Sequence, residues 1–148
     1  MNQGLFVGLV TLDLIYQTAQ MPDRNQKQVA SDYLISAGGP ATNAAVAFSG
    51  LGNQATVMGV VGKHPIAHLI QADLSTCGVT ILDLDPQRSD PPPISSILVT
   101  AGTGDRSVIS INAVQSQAAV EQMPRDCLAG IDLVLIDGHQ IEVGRTIA

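Results

Sequence analysis

Short, nearly continuous apolar runs recur along this chain, which is the pattern of strands buried on both faces of a parallel sheet. We predict such strands at 5–10, 54–61, 79–84 and 133–136. Between and after them lie segments with the small-residue or amphipathic composition of helices, namely 41–51, 65–76, 115–122 and 141–148. Because buried strands alternate with helices, the pattern predicts an α/β fold with a parallel sheet flanked by helices.

The predicted helix at 65–76 is amphipathic. Its apolar residues recur at helical spacing and are Ile66, Leu69, Ile70 and Leu74. We therefore expect these side chains to share one buried face of the helix.

Two further segments interrupt the alternation with half-polar runs that predict β-hairpins. The first hairpin lies near 13–36 and turns around 21–25, and the second lies near 94–112 and turns around 101–105. Neither is continuously apolar, so neither suits the buried central sheet. We expect the two hairpins to form a small, separate β-sheet.

Composition narrows the class of protein. Hydrophobic residues make up 45% of the 148 residues and charged residues 14%, a balance typical of a globular domain. The formal net charge is −6, which argues against nucleic acid as a partner because phosphate backbones recruit Lys and Arg. No apolar run reaches the roughly 20 residues of a membrane-spanning helix. We therefore expect a cytoplasmic protein that binds neither nucleic acid nor membrane.

Cysteine and histidine residues give no pattern of a metal site. Cys77 and Cys127 are too far apart for a CxxC motif, and we expect both to be reduced thiols. His64 and His68 lie on a predicted surface helix, so we expect them to be solvated rather than metal ligands. The prediction is that this chain holds no metal.

The most specific motif is the glycine pair Gly38–Gly39 at the start of a predicted helix. Two glycines let the main chain approach a ligand without a Cβ in the way, and the helix start offers free N–H groups and the positive end of the dipole. Asn43, just inside the helix, can both donate and accept hydrogen bonds. This combination suits a polyol. The motif is equally consistent with a turn that only lets strand and helix pack.

Together with its neighbours, the glycine pair resembles the first signature of the PfkB or ribokinase-like carbohydrate kinases. The matching positions are, in order, Gly38, Gly39, Ala41, Asn43, Ala45, Gly52 and Gly62. Several spaced matches are more specific than a lone glycine motif.

Three other segments support the same resemblance. Residues 7–8, followed by Asp13, resemble the family's first strand, whose aspartate holds sugar hydroxyls beyond the strand end. Residues 102–107 resemble the lid hairpin, in which Gly-x-Arg precedes a β-branched strand, and 134–138 resemble the strand between the sugar side and the nucleotide side. The resemblance thus extends from the first residues to the last.

The resemblance implies a ribokinase-like α/β fold in which the two hairpins form a β lid over a sugar. The substrate-binding residues that it implies are Asp13, Gly38, Gly39, Asn43, Thr11 and Arg106. Arg106 either reaches the substrate from the lid or is a solvated hairpin charge. Asp32, Asp137 and His139 are interpreted as structural or solvated residues.

The activity implied is transfer of the γ-phosphoryl group of ATP to a carbohydrate hydroxyl, with Mg²⁺ bridging the phosphates. The implied partners are a sugar or sugar acid, ATP and a second copy bound through the β lid. The family's Gly-Ala-Gly-Asp motif, which carries the catalytic Asp, is missing here, as is a GxxxxGK[ST] loop. We therefore assign no catalytic residue, and expect the chain to be truncated, with the ATP site in the rest of the parent protein.

Three alternatives compete with the sugar kinase. One is a non-catalytic sugar-binding or dimerisation module, which would bind ligand without phosphoryl transfer. A second is a nucleoside kinase of the same fold, which the 3% aromatic content disfavours because such kinases often stack an aromatic on the base. The last is a dinucleotide-binding enzyme, which is disfavoured because Gly38–Gly39–Pro40 is not a GxGxxG motif.

Overall fold

The computed structural model describes residues 1–111 and 113–148. Its strands are β1 (Gln3–Val7), β2 (Thr11–Thr18), β3 (Asp32–Gly38), β4 (Gln54–Gly59), β5 (Val79–Asp83), β6 (Ile94–Thr100), β7 (Arg106–Ser110) and β8 (Leu133–Ile136). Its helices are α1 (Pro40–Gly50), α2 (Ala67–Thr76) and α3 (Ile141–Ile147), with 3₁₀ turns at Ala113–Gln115 and Val120–Gln122. No helix in the described ranges combines the length and apolar character needed to cross a membrane.

The central sheet has the strand order β5-β4-β1-β8, and all of its strands are parallel. Successive side chains of a strand point to opposite faces, so Phe6 packs with α1 and α2 while Leu5 and Val7 pack with Val143 of α3. Helices therefore cover both faces of the central strands, as the continuous apolar runs predicted. The prediction that the strand at 133–136 is buried was wrong, because β8 is an edge strand in which Leu133 and Val134 are 43% and 40% exposed. The predicted α/β fold is confirmed.

The two predicted hairpins form a second sheet with the order β3-β2-β6-β7. Each hairpin is antiparallel, and β2 joins β6 in parallel. One face of this hairpin sheet packs on the core through Leu12 and Ala37, and Asp73 of α2 accepts a hydrogen bond from the Ala37 N–H at 2.7 Å. The prediction of a separate small sheet is confirmed. Asn112, the last residue of the second predicted hairpin, lies outside the described residues.

The predicted helix at 65–76 begins two residues later, at Ala67. Its buried side chains are Ala67, Ile70 and Leu74, whereas Leu69 is 48% exposed. The expectation for Leu69 was wrong, because the small Ala67 rather than the larger Leu69 faces the hairpin sheet and the core.

The predicted helix at 115–122 is also wrong, since the chain forms two short 3₁₀ turns there. The buried side chain of Gln140 bonds the main chain between these turns. Its Nε2 donates to the Ser116 carbonyl at 2.6 Å, and its Oε1 accepts from the Ala118 N–H at 2.9 Å. These backbone groups are therefore committed to a distant residue and not to main-chain partners four residues away, as an α-helix requires.

Candidate functional site

Thr11 and Asp13 lie two residues apart on β2 and so point to the same face of the hairpin sheet. The Thr11 hydroxyl donates a hydrogen bond to Asp13 Oδ1 at 2.9 Å. On the neighbouring strand, Gly38 pairs with Thr11, and a Cβ built on Gly38 would lie 2.1 Å from Asp13 Oδ2. Gly38 thus leaves the space that the Asp13 carboxylate occupies.

Gly39 is the N-cap of α1 and adopts a φ of 105°, which L side chains rarely tolerate. A Cβ at this position would lie 2.2 Å from the carbonyl oxygen of Leu9. The same carbonyl accepts a hydrogen bond from the Thr42 hydroxyl at 2.8 Å, which ties the first turn of α1 to the β1–β2 connection. Asn43 is exposed on that turn, and its N–H donates to the Gly39 carbonyl at 2.8 Å.

Arg106 stands apart from these residues. It begins β7 opposite Val99, whereas Ser110, at the other end of β7, is the residue in register with Ser95 and Asp13. Four residues of extended strand separate Arg106 from the Asp13 row, which is about 13 Å at 3.3 Å per residue. The structure brings together Thr11, Asp13, Gly38 and Gly39, with Asn43 nearby, and places exposed Arg106 at the far end of the sheet.

Sequence reasoning missed the serines in the row of Asp13, of which Ser36 of β3 pairs with Asp13 directly and the other two also line a pocket. The pairing register places Ser95 of β6 beside Asp13 and Ser110 of β7 beside Ser95. Register partners share a face of the sheet, so their hydroxyls line the same surface as the carboxylate. This row of hydroxyl and carboxylate side chains across neighbouring strands cannot be identified without the strand register. A pocket of about 370 Å³ opens next to it, lined by Thr11, Ser95, Ser110, Leu9, Ile111, Ala113 and His139.

Asp137, directly after β8, holds this end of the central sheet together. Its side chain is only 3% exposed. Oδ2 accepts hydrogen bonds from the Leu9 N–H at 2.9 Å and the Ala41 N–H at 3.1 Å, while Oδ1 accepts from the His139 N–H at 2.8 Å. A negative charge at the start of α1 also suits the helix dipole. A Cβ on Gly8 would lie 2.0 Å from Oδ1, so glycine is required beside this carboxylate.

The described residues do not fit the Mg²⁺ that the resemblance implies. Among 1–111 and 113–148, no three His, Cys, Asp or Glu side chains are grouped so that they could hold a metal ion. Asp137, the most buried carboxylate near the site, is occupied by main-chain donors. The arrangement of Asp13, Thr11 and the two serines can instead bind a molecule rich in hydroxyl groups.

Comparisons with known proteins bear on the family and the fold. The family model described as pfkB family carbohydrate kinase matches residues 1–145. Ketohexokinase of Mus musculus is 29% identical over 138 residues, which cover 93% of this chain and 46% of that protein. The chain therefore spans about half the length of this curated relative.

Solved structures show the same fold. An Agrobacterium tumefaciens protein assigned as a ribokinase superposes with a TM-score of 0.84 at 25% identity, over 96% of this chain and 46% of its own. The ribokinase of Cryptococcus neoformans var. grubii, solved in complex with ADP, has a TM-score of 0.67 at 19% identity, over 97% of this chain and 43% of its own. The second match concerns the fold alone. The fold is ribokinase-like.

Proposed function

Since this chain belongs to the pfkB family of carbohydrate kinases, we propose that it forms the sugar-binding side of an ATP-dependent sugar kinase. The observation that carries the proposal is the Thr11–Asp13 pair, which packs over Gly38 beside the start of α1. A carboxylate fixed by a neighbouring hydroxyl, at an edge where the main chain lacks Cβ atoms, is an arrangement that suits sugar hydroxyls.

The chemistry of binding follows from the donors and acceptors present. An ionised carboxylate accepts about four hydrogen bonds in total, so Asp13 keeps acceptor capacity for sugar hydroxyls after bonding Thr11. Ser95 and Ser110 each supply a hydroxyl that donates and accepts, and Asn43 supplies an exposed amide from α1. A sugar bound here would have its hydroxyls held in fixed positions, which is the main contribution a kinase makes to phosphoryl transfer.

In the proposed kinase, ATP supplies the γ-phosphoryl group, and the ATP site, Mg²⁺ and the catalytic base lie outside the residues described here. The proposal is supported by the length of ketohexokinase, of which the match to this chain covers only 46%. The hairpin sheet itself carries Asp13 and the serines of the sugar site, and we propose that it acts as a lid that excludes water, which competes with the sugar as phosphoryl acceptor.

We also propose that two copies associate through the hairpin sheet. Next to the polar row, the same face of the sheet carries an apolar row that includes Leu34 and Val108, which are 56% and 50% exposed. A shallow groove of about 200 Å³ lies along it. An exposed apolar strip of this kind supports an interface. Leu34→Asp should shift a dimer towards monomer in sedimentation velocity, and an unchanged dimer would contradict this interface.

The sugar site is tested by mapping main-chain amide signals of the isotopically labelled chain during titration with D-fructose and D-ribose. We expect the amide signals of Thr11, Asp13, Gly38 and Gly39 to shift with at least one of these sugars. The amide signals of β5, an edge strand of the central sheet, should stay in place. Shifts scattered over the surface, or no shifts with either sugar, would refute the sugar site. With ATP present, we expect this chain to bind the sugar without transferring a phosphoryl group. Phosphoryl transfer by this chain would contradict the proposal that the catalytic base lies outside the described residues.

A further inference from the structure

His139 is held firmly at the edge of the candidate sugar pocket. Its N–H donates to Asp137 Oδ1 at 2.8 Å, and its carbonyl accepts a hydrogen bond from the side chain of Gln117. The same Gln117 side chain accepts from the Ile141 N–H at 3.0 Å. The turn that carries His139 is therefore bonded on both sides, and the imidazole lies at the pocket wall with 43% of its side chain exposed.

The imidazole of His139 lies beside the buried carboxylate of Asp137. Nδ1 lies 3.1 Å from Asp137 Oδ1, so the two groups form an ion pair when the ring is protonated. Because Nδ1 is the nitrogen next to Asp137, Nε2 is the nitrogen left for a molecule in the pocket.

The charges around the pocket are unevenly distributed. Among the described residues that line it, only His139 can carry a positive charge, and the hydroxyl of Thr11, another lining residue, donates to the carboxylate of Asp13. Arg88 lines the neighbouring pocket, but its guanidinium is paired with Asp90 at 3.4 Å and with a main-chain carbonyl. A ligand in this pocket would therefore have one potential cation within reach, at His139.

We propose that His139 is a specificity-determining residue that selects a sugar bearing a carboxylate over the neutral sugar with the same carbon skeleton. The inference rests on the proposed sugar site. A protonated imidazole paired with Asp137 would donate a charge-assisted hydrogen bond to a ligand carboxylate, whereas a neutral sugar offers only an ordinary hydrogen bond at Nε2. Hydroxyl groups of the same ligand would bond to Ser95, Ser110 and Asp13.

The test compares D-fructose with D-fructuronate, in which the C6 hydroxymethyl group is a carboxylate. Dissociation constants are measured by NMR titration for the 148-residue chain and for its His139→Gln and His139→Arg variants. We expect the unmodified chain to bind fructuronate about five- to tenfold more tightly than fructose. His139→Gln should reduce this preference to less than about twofold, and His139→Arg should preserve it.

Imidazole nitrogen shifts provide a direct readout of the same contact. The ring signals of His139 should shift on addition of fructuronate and shift less on addition of fructose. If His139→Gln keeps the preference, or if the amides of Gly38 and Gly39 shift while the His139 ring does not, the inference is refuted and the sugar site stands. If neither sugar shifts the Gly38 and Gly39 amides, the sugar site itself is refuted, and the role of His139 with it.

Discussion

The substitution Gly38→Ala tests how Gly38 packs against Asp13, the candidate sugar-binding carboxylate. A Cβ on Gly38 would lie 2.1 Å from Asp13 Oδ2 and 2.4 Å from its Cγ, both far inside contact distance. The obstacle is the end of a short side chain, so Asp13 must rotate away and lose its 2.9 Å hydrogen bond with Thr11. Sugar affinity should then fall because the carboxylate no longer lies where the site needs it.

The expected loss of stability combines the crowding of the new methyl group with the loss of the Thr11–Asp13 hydrogen bond. Forcing one extra methyl group into a packed position and breaking one part-buried hydrogen bond together reduce the free energy of unfolding by about 1–3 kcal/mol. This cost is a large fraction of the stability of a small domain, but smaller than the whole. Misplacing a carboxylate that accepts sugar hydroxyls should weaken sugar binding about tenfold or more.

The assay is urea unfolding followed by circular dichroism, combined with a double-mutant cycle that adds Asp13→Ala. Once the carboxylate is removed, Gly38→Ala should cost far less, so the two changes should couple by about 1–2 kcal/mol. Gly50→Ala is the matched control, because a Cβ at that helical position meets nothing within 4 Å and should leave stability unchanged or slightly raised. Strict additivity in the cycle would refute the argument that Gly38 is required by Asp13.

Three further substitutions test the surroundings of the site. Gly39→Ala should destabilise the chain more than Gly38→Ala, because its Cβ meets the main-chain carbonyl of Leu9 at 2.2 Å and its φ is 105°, and equal urea midpoints would contradict this. Asp137→Asn should lower the free energy of unfolding by about 2–4 kcal/mol, because an amide cannot accept from every main-chain donor around it. Arg106→Ala should change sugar affinity less than about twofold, since roughly 13 Å of strand and solvent screening separate it from Asp13. A tenfold loss on titration would restore Arg106 to the site.

The fold was accessible from the sequence wherever local pattern and tertiary packing agree. The strand at 133–136 was predicted with the bounds that the structure has, because four successive apolar residues suit a strand at that length, but its burial was overestimated because β8 lies at the edge of the sheet. The separate hairpin sheet was predictable because half-polar runs cannot occupy a sheet covered on both faces. At 115–122 the local pattern suggested a helix, but Gln140, distant along the chain, takes the backbone hydrogen bonds.

The site was predictable only in part, for the same reason. The glycine pair and Asp13 carry a local pattern and a family resemblance, and the structure places them in contact. Ser95 and Ser110 join them only through the strand register, which the sequence does not encode locally. His139 was interpreted as structural or solvated because its link to Asp137 and its place at the pocket depend on how three separate elements meet.

The most direct test of the sugar site is the dissociation constant of the better-bound sugar, fructose or ribose, for Asp13→Asn. Asparagine keeps the size of the side chain and an oxygen for the Thr11 hydroxyl, so the fold should persist while the charged acceptor is lost. The constant should rise about tenfold or more. Asp32→Asn, an exposed change at the other end of β3, should leave it within about twofold. Wild-type affinity in Asp13→Asn would contradict the assignment of Asp13 as the sugar-binding carboxylate.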